Sequence, residues 1–136
     1  MDLNQFSTSQ ETARMELCNP KTGEPFVDEE GKKCIFILYG KDSSVYQEEQ
    51  RKIQNRKLTK TLSTGLRVKL SAEELEADAL ALLVACTKDW ENILESGRVL
   101  ECNEVNARVV YSKYPWVREQ VSSFIEDRAN FLGNSS

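Results

Sequence analysis

The sequence predicts an α+β domain: a small antiparallel sheet over about residues 13–39, packed with a mainly helical C-terminal part of about four helices. Three observations carry this. Lys33–Tyr39 (KCIFILY) is a short run of apolar, β-branched and aromatic residues between turn signals, the mark of a strand covered on both faces. From Ser71 to Leu132 apolar residues recur at helical spacing, and both tryptophans fall there. A chain of 136 residues is the usual size of one domain, long enough to bury a core without staples.

Composition narrows the function classes. The apolar fraction is 40% and the charged fraction 29%, which is globular rather than disordered. The net charge of −4 favours solubility. There is no histidine, and the four cysteines Cys18, Cys34, Cys86 and Cys102 form no C-x-x-C pair. A zinc site would need all four thiolates from distant segments, so no metal is expected. No secretory segment precedes the domain, so reduced thiols in a cytoplasmic, unsecreted protein are expected. No apolar run approaches membrane-spanning length, so no membrane contact is expected.

In chain order, residues 1–12 read as a flexible arm, with Phe6 its lone aromatic. A single domain then spans 13–132, and residues 133–136 are a polar tail. Within it, 13–40 is the β region. Ala13–Cys18 alternates apolar and polar residues, as a half-buried strand does. Asn19–Gly23 and Asp28–Gly31 are turns, and Glu24–Val27 is a short edge piece between them. Gly40 ends the strong strand. Asp42, Ser43 and Ser44 offer helix caps, and a helix follows from about Ser44 to Lys60, within a basic helical region 43–62. Its apolar stripe is thin: Val45, Tyr46, Ile53, Leu58 and Leu62. Residues 63–70 read as a loop, with Thr59–Gly65 (TKTLSTG) its start.

Residues 71–132 read as the helical core. Ser71 and Glu74 form a capping box. Leu75, Ala79, Leu82 and Cys86 share one face of the helix that follows, widened by Leu80, Leu83 and Val84. Trp90, Ile93 and Leu94 come just past it. Gly97 permits a turn, and Arg98–Leu100 is a short extended piece. Asn103 caps a helix with Val105, Val109 and Val110 facing in, which stops before Pro115. Pro115 opens the last helix, where its missing N–H costs nothing. Val117, Val121, Phe124, Ile125 and then Arg128 or Phe131 make its inward stripe, and Gly133 follows its end. Trp116 is placed to pack on Trp90.

The charge distribution is uneven. Arg51, Lys52, Arg56, Lys57, Lys60, Arg67 and Lys69 lie in one span with no acidic residue. The rest of the chain holds 11 basic and 22 acidic residues, a net of −11. The span reads either as a solvated helix face and loop or as a docking surface for an acidic partner, another subunit or a phosphate backbone. No aromatic residue interleaves these basic ones, which removes base stacking and disfavours nucleic acid.

No catalytic motif is present: no phosphate-binding glycine loop, no nucleophile elbow, no metalloprotease helix. Without histidine the commonest general base is missing. Carboxylates such as Glu73/Glu74 and Glu126/Asp127 are sequence neighbours and point apart on a helix. The expectation is a protein that is not an enzyme, needs no cofactor, and acts by contact.

Several stretches, in order, resemble the tail assembly chaperones of long-tailed bacteriophages and prophages. They are NPKTGEPF, ILYGKDSSVYQEEQRKIQNRK, SAEELEADALALLVACTKDWENI, NEVNARVVYSKYPWVREQV and FIEDRANFL, together covering roughly 13–132. The most specific parts are the Asn106-Ala107 helix, the Pro115-Trp116 start and the Arg128–Leu132 end. The resemblance implies a small, largely helical protein of the bacterial host cytoplasm. Such a protein coats the tape measure protein before the tail tube protein polymerises around it, and is absent from the mature virion. It also implies self-association in some members, and a frameshifted long form in many. The basic span, Arg51 to Lys69, would be the face for client or self-association. Two rival classes stand beside this one: a structural tail component, such as a tube or completion protein, and a nucleic-acid-binding regulator.

Overall fold

The KCIFILY run lies at the centre of the sheet. The structure is a computed structural model and describes Leu3, residues 11–64 and residues 72–132. Strands β1 (Thr12–Glu16), β2 (Ile35–Tyr39) and β3 (Thr87–Glu91) pair antiparallel in the order β1-β2-β3. Met15, Phe36 and Trp90 align across the three strands. Because side chains alternate between faces, this row and Leu38 point to the same side, and all four are buried. On the other side Arg14 reaches diagonally across β2 to Glu91 (2.7 Å), and Lys33 meets Glu16 (2.8 Å). Those ion pairs flank Ile35, only 7% exposed, so both faces of β2 are covered as its composition requires.

The helices close the inner face. They are α1 (Ser44–Thr64), α2 (Ala72–Ala85), α3 (Glu104–Lys113) and α4 (Pro115–Glu126), with a 3-10 turn over Arg128–Phe131. Ser43, itself buried, starts α1: its hydroxyl accepts from the Tyr46 N–H (3.1 Å) and donates to the Gly40 carbonyl (2.7 Å). The Asn103 side chain accepts from the Asn106 N–H (2.8 Å) at the start of α3. Pro115 opens α4 as the sequence predicts. One core joins the sheet to Leu83, Val84 and Cys86 of the α2 end, Ala107, Val110 and Tyr111 of α3, and Val117, Val121 and Ile125 of α4. A hairpin, β4 (Leu94–Glu95) with β5 (Arg98–Val99), turns through Ser96 (φ 53°) and Gly97 (φ 79°). Two positive φ values in succession match the twist of the flanking strands.

Six sequence readings change. The sheet is not confined to 13–39, because Thr87–Glu91 supplies its third strand and puts Trp90 in a ladder rather than past a helix. α1 runs to Thr64, so Thr59–Thr64 is helical and not loop. Leu75 and Ala79 of α2 are exposed, and only Leu83 and Val84 of that helix are buried. α3 is turned from its predicted phase: Val105 and Val109 face out, and Ala107, Val110 and Tyr111 face in. α4 stops at Glu126, after which Phe131 reaches the core from the 3-10 turn while Arg128 stays exposed. The tryptophans do not pair with each other: Trp90 packs on Phe36 (5.5 Å between ring centres) and Trp116 on Phe26 (5.9 Å). The arm apart from Leu3 and from Glu11 and Thr12 (which opens β1), with Phe6, the Ser71 end of the capping box, Gly65–Leu70 and the 133–136 tail lie outside the described residues.

Candidate interaction surfaces

The basic residues do not share one face. Residues three and four apart on a helix are neighbours, so Arg56 and Lys57 lie on the side of buried Ile53, toward the body. Both meet Asp78 of α2, at 3.3 Å and 4.0 Å. They tie α1 to α2. Lys60 falls on the same side by helical phase, with its side chain outside the described residues. Arg51, two positions before Ile53, is on the opposite side, and Lys52 lies between that side and Arg56, one turn before Arg56; both are exposed. Arg67 and Lys69 lie outside the described residues. Arg56 and Lys57 thus reach across to α2, while Arg51 and Lys52 are exposed.

One apolar surface is on α3. Val105 is 71% exposed and Val109 45%, one turn apart on one face. They share a shallow patch with Glu104, Arg108, Ser112 and Lys113. Helical periodicity places these valines inside and by itself gives no signal against that. The signal was the neighbour Ala107, which permits the close α2–α3 approach and is 2% exposed.

The outer edge of β1 is a second surface. Glu11 and Leu17 bond to Gly40 and Cys34 beyond the two ends of the β1–β2 ladder. Antiparallel pairing alternates, so residues 11, 13, 15 and 17 bond to β2, and Thr12, Arg14 and Glu16 turn their N–H and C=O outward. The next outward position, Cys18, is satisfied by one side chain: its N–H donates to Gln120 Oε1 (2.9 Å) and its carbonyl accepts from Gln120 Nε2 (2.8 Å). A cleft follows this edge, bounded by β1 on one side and by Trp116, Gln120, Phe124 and Asn130 on the other.

Three of the cysteines, Cys34, Cys86 and Cys102, are held as neutral thiols. Burial pushes Cys86 up to about 12 and Cys102 up to about 11, and it also raises Cys34. A protonated thiol is a poor nucleophile and metal ligand. Among the described residues no three cysteine, aspartate or glutamate side chains converge so as to hold a metal ion, and no helix is long and apolar enough to cross a membrane. No protein family matches the chain, and no curated protein or solved structure matches it significantly.

Proposed function

We propose that the protein is a non-enzymatic assembly chaperone of the phage-tail type, which holds the tape measure protein in the host cytoplasm through reversible contact. The observation that carries this reading is the outward stripe of Val105 and Val109 on α3. Two apolar side chains at i and i+4 are what a helical client needs to lay its own apolar stripe against. Covering them contributes at most roughly 1.5 kcal/mol each, and less for Val109, which is only 45% exposed, a scale that suits a holding contact that releases again. Arg51 and Lys52, on the water-facing side of α1, add positive potential that speeds encounter with an acidic client more than it tightens the complex. The choice of client rests on the resemblance of residues 13–132 to tail assembly chaperones.

The test is co-expression with the tape measure protein followed by pull-down. Val105→Asp with Val109→Asp should abolish co-purification while leaving the helical circular dichroism unchanged. Equal recovery of the client with this variant would sink the proposal. Stoichiometric presence of the chain in purified virions would favour a structural tail component instead. DNA affinity falling steeply with salt would favour a regulator.

A further inference from the structure

We propose that the cleft between the outer edge of β1 and α4 is a docking site for another protein, and that its occupant is an extended apolar segment carrying lysine or arginine at alternate positions. α4 supplies one wall. Trp116, Gln120 and Phe124 follow one another at four-residue spacing and so form one stripe of the helix. Glu119, Ser123 and Asp127, the last just past the helix end, repeat that spacing beside them and are exposed. Two aromatic rings thus carry an acidic rim. The opposite wall is the edge of β1, where the cleft continues past Thr12 and Arg14. Its two hollows, of about 530 and 700 Å³, meet at Phe124 and Asn130, which is room for a run of residues rather than for one side chain.

The rim selects for a cation. Of the described residues that line the cleft, Arg14 alone is basic, and Glu91 already holds it at 2.7 Å. Arg118 and Arg128, the sequence neighbours of the two acids, are held by Glu76 and Asp42. The Glu119 carboxylate has no partner among the described residues, and that of Asp127 accepts only from the Ala129 N–H (3.1 Å). Two carboxylates therefore stand without a counter-charge beside half-buried aromatic rings. A lysine or arginine reaching between them meets both an opposite charge and a ring face, and each attracts it.

The edge sets the shape of the occupant. Thr12 and Arg14 direct backbone N–H and C=O away from β2 and find no partner for them among the described residues. Glu16 does not extend that opening: its carbonyl accepts from the Cys18 thiol (3.5 Å), and Gln120 closes the edge at Cys18. Open positions two residues apart on a strand edge bond to a segment that is itself extended. Alternate side chains of such a segment lie on opposite faces, so the apolar set rests on Trp116 and Phe124 while the cations stay at the rim. The cleft shares no lining residue with the patch around Val105 and Val109. It is a second site, independent of the chaperone reading.

Amide NMR titration tests this with two synthetic peptides, acetyl-Val-Lys-Val-Lys-Val-amide and acetyl-Val-Glu-Val-Glu-Val-amide. The cationic peptide should shift the amides of Thr12, Arg14, Glu119 and Ser123, and at saturation should slow hydrogen exchange at Thr12 and Arg14. The acidic peptide should shift none of them. Glu119→Lys should weaken the cationic peptide about fivefold, the scale of one exposed ion pair, with helical circular dichroism unchanged. Glu101→Lys, an equal change in net charge at an exposed residue outside the cleft, should leave the affinity as it was. A cationic peptide that does not bind, two peptides that bind alike, or a Glu101→Lys loss as large as that of Glu119→Lys overturns the proposal. Binding that leaves exchange at both Thr12 and Arg14 unchanged overturns it too, because the segment is then not held by the edge. None of these outcomes depends on the α3 valines, so the chaperone reading stands or falls separately.

Discussion

Phe131 occupies the space where a side chain on Gly40 would go. A Cβ built on Gly40 would meet the Phe131 ring carbons at 2.7 Å. The ring is 2% exposed and has nowhere to retreat. Gly40 also ends β2 and accepts from Ser43, so this one contact joins the strand end, the α1 cap and the 3-10 turn.

Gly40→Ala should therefore destabilise by about 1–3 kcal/mol through overpacking. The φ of Gly40 is ordinary, so no backbone strain contributes. Phe131→Ala should cost about 3–5 kcal/mol by leaving a cavity. The double variant should cost clearly less than the sum of the two, since the added methyl then has room. Urea unfolding of the four proteins measures this; strict additivity would contradict the contact.

The Thr87 hydroxyl and the Tyr111 phenol lie 2.5 Å apart, and the threonine also donates to the Leu83 carbonyl (2.7 Å). Thr87→Val should cost about 1–3 kcal/mol by stranding a buried phenol, and Thr87→Ser much less. Burial raises Tyr111 above the usual tyrosine value. The fold thus favours the neutral phenol. Its contribution is complete below about pH 10, where the unfolded phenol begins to ionise, and is lost as pH rises further toward the folded value. Phenolate absorbance should show Tyr111 ionising together with unfolding rather than before it.

At the acid end the group to watch is Asp42. Arg128 donates to it through Nε and a terminal nitrogen, which holds its carboxyl below the usual aspartate value. A lowered folded pKa stabilises above the unfolded value of about 3.9 and is lost as pH falls through the folded one. The melting temperature of Arg128→Gln should fall below that of the wild type at neutral pH, and the gap should close in acid. A gap that persists in acid would show that the guanidinium acts by packing.

Cysteine labelling separates local from global opening. Cys86 is fully buried and its thiol is held protonated. Its modification under native conditions should therefore proceed only at the rate of global unfolding, while Cys18, half-buried near the edge cleft, reacts earlier. Early labelling of Cys86 would mean that the end of α2 opens by itself.

The strong local signals in the sequence hold. Asn103 and Pro115 mark their helix starts by cap chemistry, and KCIFILY marks β2 by composition. The misreadings share a cause: they need partners from elsewhere in the chain. Thr87–Glu91 is a strand with only Trp90 buried, so its charged residues look like loop until β2 is set beside it. On α3 the stripes through Val105 and through Ala107 have the same period, and only the tight α2 contact selects the phase. The basic run is continuous along the chain, but a helix sends Arg51 and Arg56 to different sides. The candidate interaction surfaces were the least legible part, because an exposed valine and an open backbone edge both depend on what the remainder leaves uncovered.

Because the third strand arrives only after both long helices, the order of synthesis has a consequence. A nascent polypeptide that has emerged through α1 presents Ile35–Tyr39 with one flank still vacant. Translation must continue past Glu91 before the hairpin-like pair of earlier strands gains its second neighbour. During that interval the most aggregation-prone stretch stands half-sheltered, so slowing the ribosome between α1 and α2 should lower soluble yield more than slowing it after Trp90.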